Sequence, residues 1–161
     1  MKLAGEIKHS LVNGPGIRYV IFFQGCPHRC PGCQNPETHD LAGGAEVNPD
    51  NLIERISSTK CLDGVTLSGG DPLMQPEECA KIAAAVQPMG LNVWLYTGWT
   101  MEEILADPLK RKSVRDVDVI VDGPFIQSLR SEACLWRGSS NQRLIDVQQS
   151  LKENRVIEYK A

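Results

Sequence analysis

The sequence lacks both a long apolar run and an excess of basic residues. Its 161 residues contain 17 Lys and Arg against 20 Asp and Glu, which gives a net charge of -3 at pH 7. A nucleic-acid or anionic membrane surface is normally met by a basic face, and a membrane-spanning helix needs about 18 or more consecutive apolar residues. We therefore expect a protein that binds neither nucleic acid nor membrane.

Export features, repeats and linkers are also missing. The opening segment MKLAGEIKHS contains no apolar stretch suited to a secretory signal, which favours the cytoplasm. No internal repeat, low-complexity tract or long linker divides the chain, and a length of 161 residues suits one domain, residues 1–161. A hydrophobic content of 42% is ordinary for a globular protein with a sizeable core.

Short apolar runs, each followed by a glycine, recur along the chain, and segments with a helical pattern lie between them. Such runs are typical of strands buried on both faces of a parallel sheet, and alternation with helices indicates right-handed βαβ units of an α/β fold. The chain is too short for an eight-stranded barrel, which needs about 250 residues. Two architectures are therefore possible, an open barrel wall or, as the alternative, a flat doubly wound sheet. The runs are RYVIFFQ (18–24), GVTLS (64–68), NVWLYT (92–97) and VDVIVD (117–122).

Helix-start signals support this interpretation. Asn48 precedes Pro49 as a predicted N-cap, and Thr100 and Glu103 have the spacing of a capping box. The carboxyl ends of parallel strands form the working face of both candidate architectures. The polar and glycine-containing segments that follow the four runs should therefore gather on one rim.

The segment GCPHRCPGC (25–33) contains three of the six cysteines, Cys26, Cys30 and Cys33. Clustered thiols in a chain without export features usually bind metals or act in catalysis. Structural zinc normally has four ligands, and no second cysteine pair follows, although His28 and His39 can complete a zinc site. In a cubane [4Fe-4S] cluster, three thiolates leave one iron open to a small molecule.

The other three cysteines, Cys61, Cys79 and Cys134, are isolated. Cys79 lies on a helical apolar stripe, and free cysteine is among the most buried residue types. We expect these three to be structural.

The Cys-x3-Cys-x2-Cys spacing after a first strand resembles the signature of the radical S-adenosylmethionine superfamily. Residues 12–40, VNGPGIRYVIFFQGCPHRCPGCQNPETHD, are similar to the opening of the glycyl-radical-enzyme activases. The resemblance extends from about Val12 to Val147. Three later segments resemble the narrower group that activates anaerobic ribonucleotide reductase: LSGGDPL (67–73), VDGPFI (121–126) and WRGSSNQR (136–143).

This resemblance implies a fold, two cofactors and a reaction. The fold is a short, incomplete (β/α) barrel with about five or six mainly parallel strands. The cofactors are a [4Fe-4S] cluster and S-adenosylmethionine, which is cleaved reductively to a 5′-deoxyadenosyl radical. That radical installs a glycyl radical on the large subunit of anaerobic ribonucleoside-triphosphate reductase, and flavodoxin or ferredoxin supplies the electron. Alternatives are an activase of another glycyl-radical enzyme, such as pyruvate formate-lyase, and a small zinc-binding interaction module.

The resemblance also implies site residues. The three clustered cysteines become the catalytic cluster ligands, and the segment around Asp71 meets the amino group of the methionine moiety. Asp71 and Asp122 each have a structural alternative, as a helix-start residue and as a turn residue. The family usually has an aromatic or histidine residue at the position of Gln34, next to the adenine. The expected cofactor-binding residues are Ser68, Gly69, Gly70, Asp71, Thr97 and Asp122.

Three more parts of the chain have an expected location: Arg18, the WRGSSNQ segment and the C-terminal tail. Arg18, beside the turn NGPG (13–16), is a candidate for a place near the cofactor. WRGSSNQ is expected at the cofactor rim or at a partner face, because exposed aromatic residues and arginines favour partner contact. The tail KENRVIEYKA is expected to be a charged, solvated terminus.

Overall fold

The computed structural model describes residues 1–160, which form a seven-stranded sheet covered by helices. The strand order across the sheet is β3-β1-β2-β4-β5-β6-β7, so β3 and β7 are its edges. The strands are β1 (Lys2–Ser10), β2 (Arg18–Phe23), β3 (Ala45–Glu46), β4 (Gly64–Gly69), β5 (Asn92–Tyr96), β6 (Val119–Asp122) and β7 (Arg143–Asp146).

The four apolar runs form the parallel centre of the sheet. β2 pairs with β4, β4 with β5, and β5 with β6, each time in parallel. The prediction of an α/β fold is confirmed. The prediction of five or six mainly parallel strands is wrong, because the sheet has seven strands and three of its six pairings are antiparallel: β1 with β3, β1 with β2, and β6 with β7. The curvature of an incomplete barrel stays a prediction.

Within residues 1–160, five α-helices accompany the strands, and two of them begin at the predicted residues. Asn48 Oδ1 accepts a hydrogen bond from Asp50 N, and Thr100 and Glu103 form the predicted capping box. Among residues 1–160 no helix is long and apolar enough to cross a bilayer. The helices are α1 (Pro49–Ser58), α2 (Pro76–Val86), α3 (Met101–Ala106), α4 (Pro108–Ser113) and α5 (Val147–Glu153).

Apolar side chains pack on both faces of the sheet. The larger core contains the β2 residues Tyr19, Ile21 and Phe23, which alternate along the strand and pack with residues of the helices. Cys79 belongs to this core and is fully buried, as expected. Cys61, in contrast, is exposed and has a positive φ, so burial does not explain its presence.

A second, smaller core forms around Trp94. Tyr159 packs edge-on against the Trp94 ring, with 5.8 Å between ring centroids, and its backbone N donates to Leu144 O at 2.8 Å. The prediction of a solvated tail is therefore wrong for Tyr159. Partial burial of the Tyr159 ring is favourable because it removes apolar surface from water, while the neighbouring charged residues stay solvated.

Arg18 is fully buried at the start of β2. Its guanidinium donates to Thr66 Oγ1 at 2.6 Å and to three backbone carbonyls, and lies 5.7 Å from the Trp94 ring centroid. Burial lowers the pKa of Arg18 to about 10, because the loss of solvation outweighs the attraction of nearby groups such as Asp63 and Asp118. Arg18 supports the sheet at the amino end of β2, away from the rim where the cysteines lie.

Candidate functional site

A cavity of about 340 Å³ lies at the carboxyl ends of the parallel strands. The loops after β2, β4, β5 and β6 all contribute to its wall, so the predicted gathering on one rim is confirmed. The lining includes eight residues of the predicted site and the segments around it: Cys26, Cys30, Cys33, Gln34, Ser68, Gly69, Gly70 and Thr97.

The cysteine loop combines one buried thiol with two that are partly exposed, and all three are free. Pro31 and Gly32 occupy the centre of a turn in which Cys33 N donates to Cys30 O at 3.1 Å, and Gly32 adopts the left-handed conformation with φ of 76°. Burial raises the pKa of the Cys26 thiol.

The three thiols fit a cubane cluster better than a single metal ion. Within residues 1–160, no three His, Cys, Asp or Glu side chains converge as the ligands of one ion do. Zinc needs its ligands at about 2.0–2.3 Å from one point, whereas each thiolate of a cubane binds a different iron. Cys26, Cys30 and Cys33 all line one cavity, as the ligands of one cubane must.

Asp71 has its side chain inside the protein and does not line the cavity. Its carboxylate accepts hydrogen bonds from Leu73 N at 3.0 Å, Thr97 Oγ1 at 2.8 Å and Gly98 N at 2.9 Å. The same carboxylate pairs with His28 Nε2 at 2.7 Å. Asp71 therefore connects the cysteine loop, through His28, to the ends of β4 and β5. The hydrogen bond from Leu73 N is the helix-start contact that the structural alternative for Asp71 predicted.

His28 lies between two of the cysteines and also lines the cavity. Its ring packs edge-on against Trp99, with 4.8 Å between centroids. A Cβ atom on Gly98 would clash with the His28 ring, so only glycine allows this close approach of β5 to the cysteine loop. The sequence offered His28 only as a zinc ligand and gave no sign of its pairing with Asp71.

The glycine pair Gly69 and Gly70, at the end of β4, joins that strand to the cysteine loop. Gly70 N donates to Phe23 O, and Asp71 N donates to Gly25 O, both at 2.8 Å. Gly69 has a φ of 98°, and a Cβ there would clash with the backbone of Phe23. The backbone of this pair faces the cavity without intervening side chains, as close approach of a ligand requires.

Asp122 lies outside the cysteine cavity. Its buried carboxylate accepts hydrogen bonds from Met101 N at 2.8 Å and from Arg143 Nη2 at 2.6 Å. Arg143 also pairs with Glu102, at 2.7 Å. These side chains border a separate surface pocket, so the position of Asp122 corresponds to its structural alternative, the support of a turn.

Aromatic and polar residues complete the cavity wall. Tyr96 donates its hydroxyl to Trp136 O at 2.8 Å, and burial raises the pKa of Tyr96 above its ordinary value. Phe125, Trp136 and Arg137 follow β6 and also line the cavity. Residues of the WRGSSNQ segment therefore lie at the cavity wall, and the expected contact of this segment with a cofactor or a partner stays a prediction.

Three cysteines around a cavity at the carboxyl edge of an α/β sheet are typical of an iron–sulfur domain. The family model described as "4Fe-4S single cluster domain" matches residues 12–145, which contain every residue of the cavity wall. The protein class is therefore that of a single-cluster [4Fe-4S] domain.

Curated relatives narrow this class. The anaerobic ribonucleoside-triphosphate reductase-activating protein of Salmonella typhi is 40% identical over 141 residues, which are 82% of this chain and 90% of the relative. The proteins of the same name from Escherichia coli (strain K12) and Enterobacteria phage T4 are 37% and 38% identical, and cover 82% and 83% of this chain and 90% and 86% of the relatives. The chain belongs to the family of anaerobic ribonucleoside-triphosphate reductase-activating proteins.

A solved structure supports the fold. QueE from Escherichia coli superposes with a TM-score of 0.51 at 17% sequence identity, and the match covers 62% of this chain. The chain spans about half of QueE, 52% of its length. This likeness concerns the α/β architecture alone.

Proposed function

We propose that the chain cleaves S-adenosylmethionine reductively at a [4Fe-4S] cluster, and that the resulting 5′-deoxyadenosyl radical installs a glycyl radical on anaerobic ribonucleoside-triphosphate reductase. One observation carries this proposal: the three clustered cysteines and the backbone of a glycine pair line one cavity in a chain of the reductase-activating family. The cysteines supply three ligands, and the cavity leaves room beside them for a small molecule.

Each part of the cavity wall has a proposed task. The thiolates of Cys26, Cys30 and Cys33 hold the cluster. Ser68, Gly69 and Gly70 present backbone groups to the methionine end of the cofactor, with Thr97 beside them. Asp71 acts through His28 and Thr97 and keeps the cysteine loop against the ends of β4 and β5. Asp122 supports the start of α3 and the loop after β6.

The mouth of the cavity suits a protein partner. Val12 lines the cavity and is 77% exposed, and the preceding Leu11 is 73% exposed. Leu41, which follows the cysteine loop, and Leu135, beside Trp136, are exposed as well. Exposed large apolar side chains close in sequence to cavity-lining residues favour association with another chain. We propose that a glycine-bearing loop of the reductase enters here, and that flavodoxin or ferredoxin supplies the electron.

Oxygen-free reconstitution with iron and sulfide tests the proposal. The unaltered chain should acquire a full cluster and form 5′-deoxyadenosine from S-adenosylmethionine under strong reduction. Cys30→Ala should fold but lose the intact cluster and all cleavage, because one iron loses its protein ligand. Cys61→Ala is the matched control, since Cys61 is exposed and outside the cavity wall. Full cluster content and cleavage in Cys30→Ala, or a colourless protein with stoichiometric zinc, would contradict the assignment.

A further inference from the structure

His39 has a ring nitrogen that no group of the protein satisfies. Its Nε2 atom is buried and has no hydrogen-bond partner within residues 1–160, the thiols of the cysteines included. A buried polar atom without a partner costs about 1–3 kcal/mol, and such atoms are rare in proteins. His39 is also one of the residues that line the cysteine cavity. We therefore expect the missing partner of Nε2 to belong to the group that occupies this cavity.

His28 also lines the cavity, but its Nε2 atom has a partner inside the protein. That atom pairs with the Asp71 carboxylate at 2.7 Å. A neutral imidazole has one N–H group, and the partners of its two nitrogens decide which of them carries the proton. An acceptor placed in the cavity can therefore select the Nε2–H form of His39, whereas Asp71 already selects that form of His28.

The backbone of His39 is fixed against the start of the cysteine loop. Cys26 N donates a hydrogen bond to His39 O at 3.4 Å. The buried Gln24 side chain donates through Nε2 to carbonyls on both sides of His39, to Glu37 O at 3.1 Å and to Asp40 O at 2.7 Å. His39 is thus held beside Cys26, the one buried thiol among the three proposed cluster ligands.

We propose that His39 Nε2–H donates a hydrogen bond to a sulfur atom of the bound [4Fe-4S] cluster and so raises its reduction potential, an inference that rests on the proposed function. The cubane brings inorganic sulfides in addition to the three thiolates, and hydrogen bonds to these sulfurs help to set the potential. Reduction adds one electron, so the sulfurs become more negative and attract the N–H group more strongly. The proton stays on Nε2. His39 therefore stabilises the reduced cluster relative to the oxidised one.

A redox titration of the reconstituted, oxygen-free chain, followed by electron paramagnetic resonance without S-adenosylmethionine, measures this effect. His39→Phe keeps a planar ring but has no N–H donor, and His39→Leu removes the donor with a smaller side chain. In both variants the equilibrium constant for one-electron reduction of the cluster should fall by about tenfold, equivalent to about 59 mV. His39→Gln keeps an N–H donor and should retain part of the effect.

His9→Phe is the matched control, because His9 is exposed on β1 and is absent from the cavity wall. Its cluster should have the potential of the unaltered chain. A change of less than about twofold in the reduction constant of His39→Phe or His39→Leu overturns the proposal, as does a change in His39→Gln as large as in His39→Phe. An unchanged potential combined with weaker binding of S-adenosylmethionine also overturns it, because Nε2 then bonds to that ligand. An unaltered chain that acquires no cluster contradicts the proposed function itself.

Histidine labelled with a nitrogen isotope gives a second readout, which does not depend on the folding of His39→Phe or His39→Leu. The reduced cluster of the unaltered chain should show magnetic coupling to a histidine ring nitrogen, and His39→Gln should lose this coupling. Its absence from the unaltered chain, or its persistence in His39→Gln, overturns the proposal. Iron content and circular dichroism establish that each variant is folded and loaded.

Discussion

Removal of the Asp71 carboxylate should destabilise the protein strongly. Asp71→Ala leaves three buried or partly buried donors without an acceptor, namely Leu73 N, Thr97 Oγ1 and Gly98 N, and removes the partner of His28. Each unpaired donor costs about 1–3 kcal/mol, but neighbours that relax together recover part of the sum. We expect a loss of about 3–5 kcal/mol in the free energy of unfolding, the range seen when one partner of a buried pair is removed.

Guanidinium denaturation without oxygen, followed by tryptophan fluorescence, measures this loss. Asp146→Ala is the matched control, because Asp146 is also an N-cap aspartate but caps α5 through a single hydrogen bond to Gln149 N. The control should lose about 1 kcal/mol. Asp71→Asn keeps one acceptor oxygen and should lose about 1–3 kcal/mol, which gives a measurable value if Asp71→Ala does not fold. A loss in Asp71→Ala no greater than in Asp146→Ala would refute the reasoning.

Three further predictions concern other contacts. Gly98→Ala should lower cluster content while the chain stays folded, because the new Cβ displaces the His28 ring; iron analysis and circular dichroism test this. Arg143 holds the pKa of Glu102 below its ordinary value, so Glu102→Gln should reduce stability near pH 7 by less than about 1 kcal/mol. That difference should vanish in acid denaturation curves as the pH falls through the lowered pKa. Burial raises the pKa of Cys79, so iodoacetamide should alkylate it only after unfolding.

Each of these predictions has a control or a contradicting result. Gly5→Ala should leave cluster content unchanged, since a Cβ there meets no atom within 4 Å. A stability difference for Glu102→Gln that persists below the lowered pKa would show that the ion pair is not its cause. Alkylation of Cys79 as fast as that of the exposed Cys61 in the native protein would contradict the burial argument.

The sequence predicted the centre of the fold better than its edges. Four glycine-terminated apolar runs became β2, β4, β5 and β6, because strands buried on both faces must be apolar along their length. β1, with the sequence KLAGEIKHS, pairs antiparallel near one edge of the sheet and is half exposed, so it shows no apolar run. β3 has two residues and β7 has four, too short for a periodic signal.

In the candidate site, the features that depend on neighbouring residues were predicted, and those that depend on distant residues were not. The spacing of the three cysteines and the glycines after β4 are local patterns, and the residues line the cavity as predicted. The partners of Asp71 and Asp122 are distant in sequence: Thr97 and His28 lie 26 and 43 residues from Asp71, and Arg143 lies 21 residues from Asp122. Pairings over such distances leave no periodic mark in a single sequence. The two carboxylates were therefore expected at the cofactor, whereas their hydrogen bonds lie within the protein.

The most direct measurement is electron paramagnetic resonance of the reductase after incubation with the reconstituted chain, S-adenosylmethionine and a strong reductant, without oxygen. A glycyl-radical signal should appear only when all four components are present, and should be absent with Cys30→Ala. A fully loaded chain that binds S-adenosylmethionine but produces no such signal, or a signal that forms equally well without S-adenosylmethionine, would contradict the central claim.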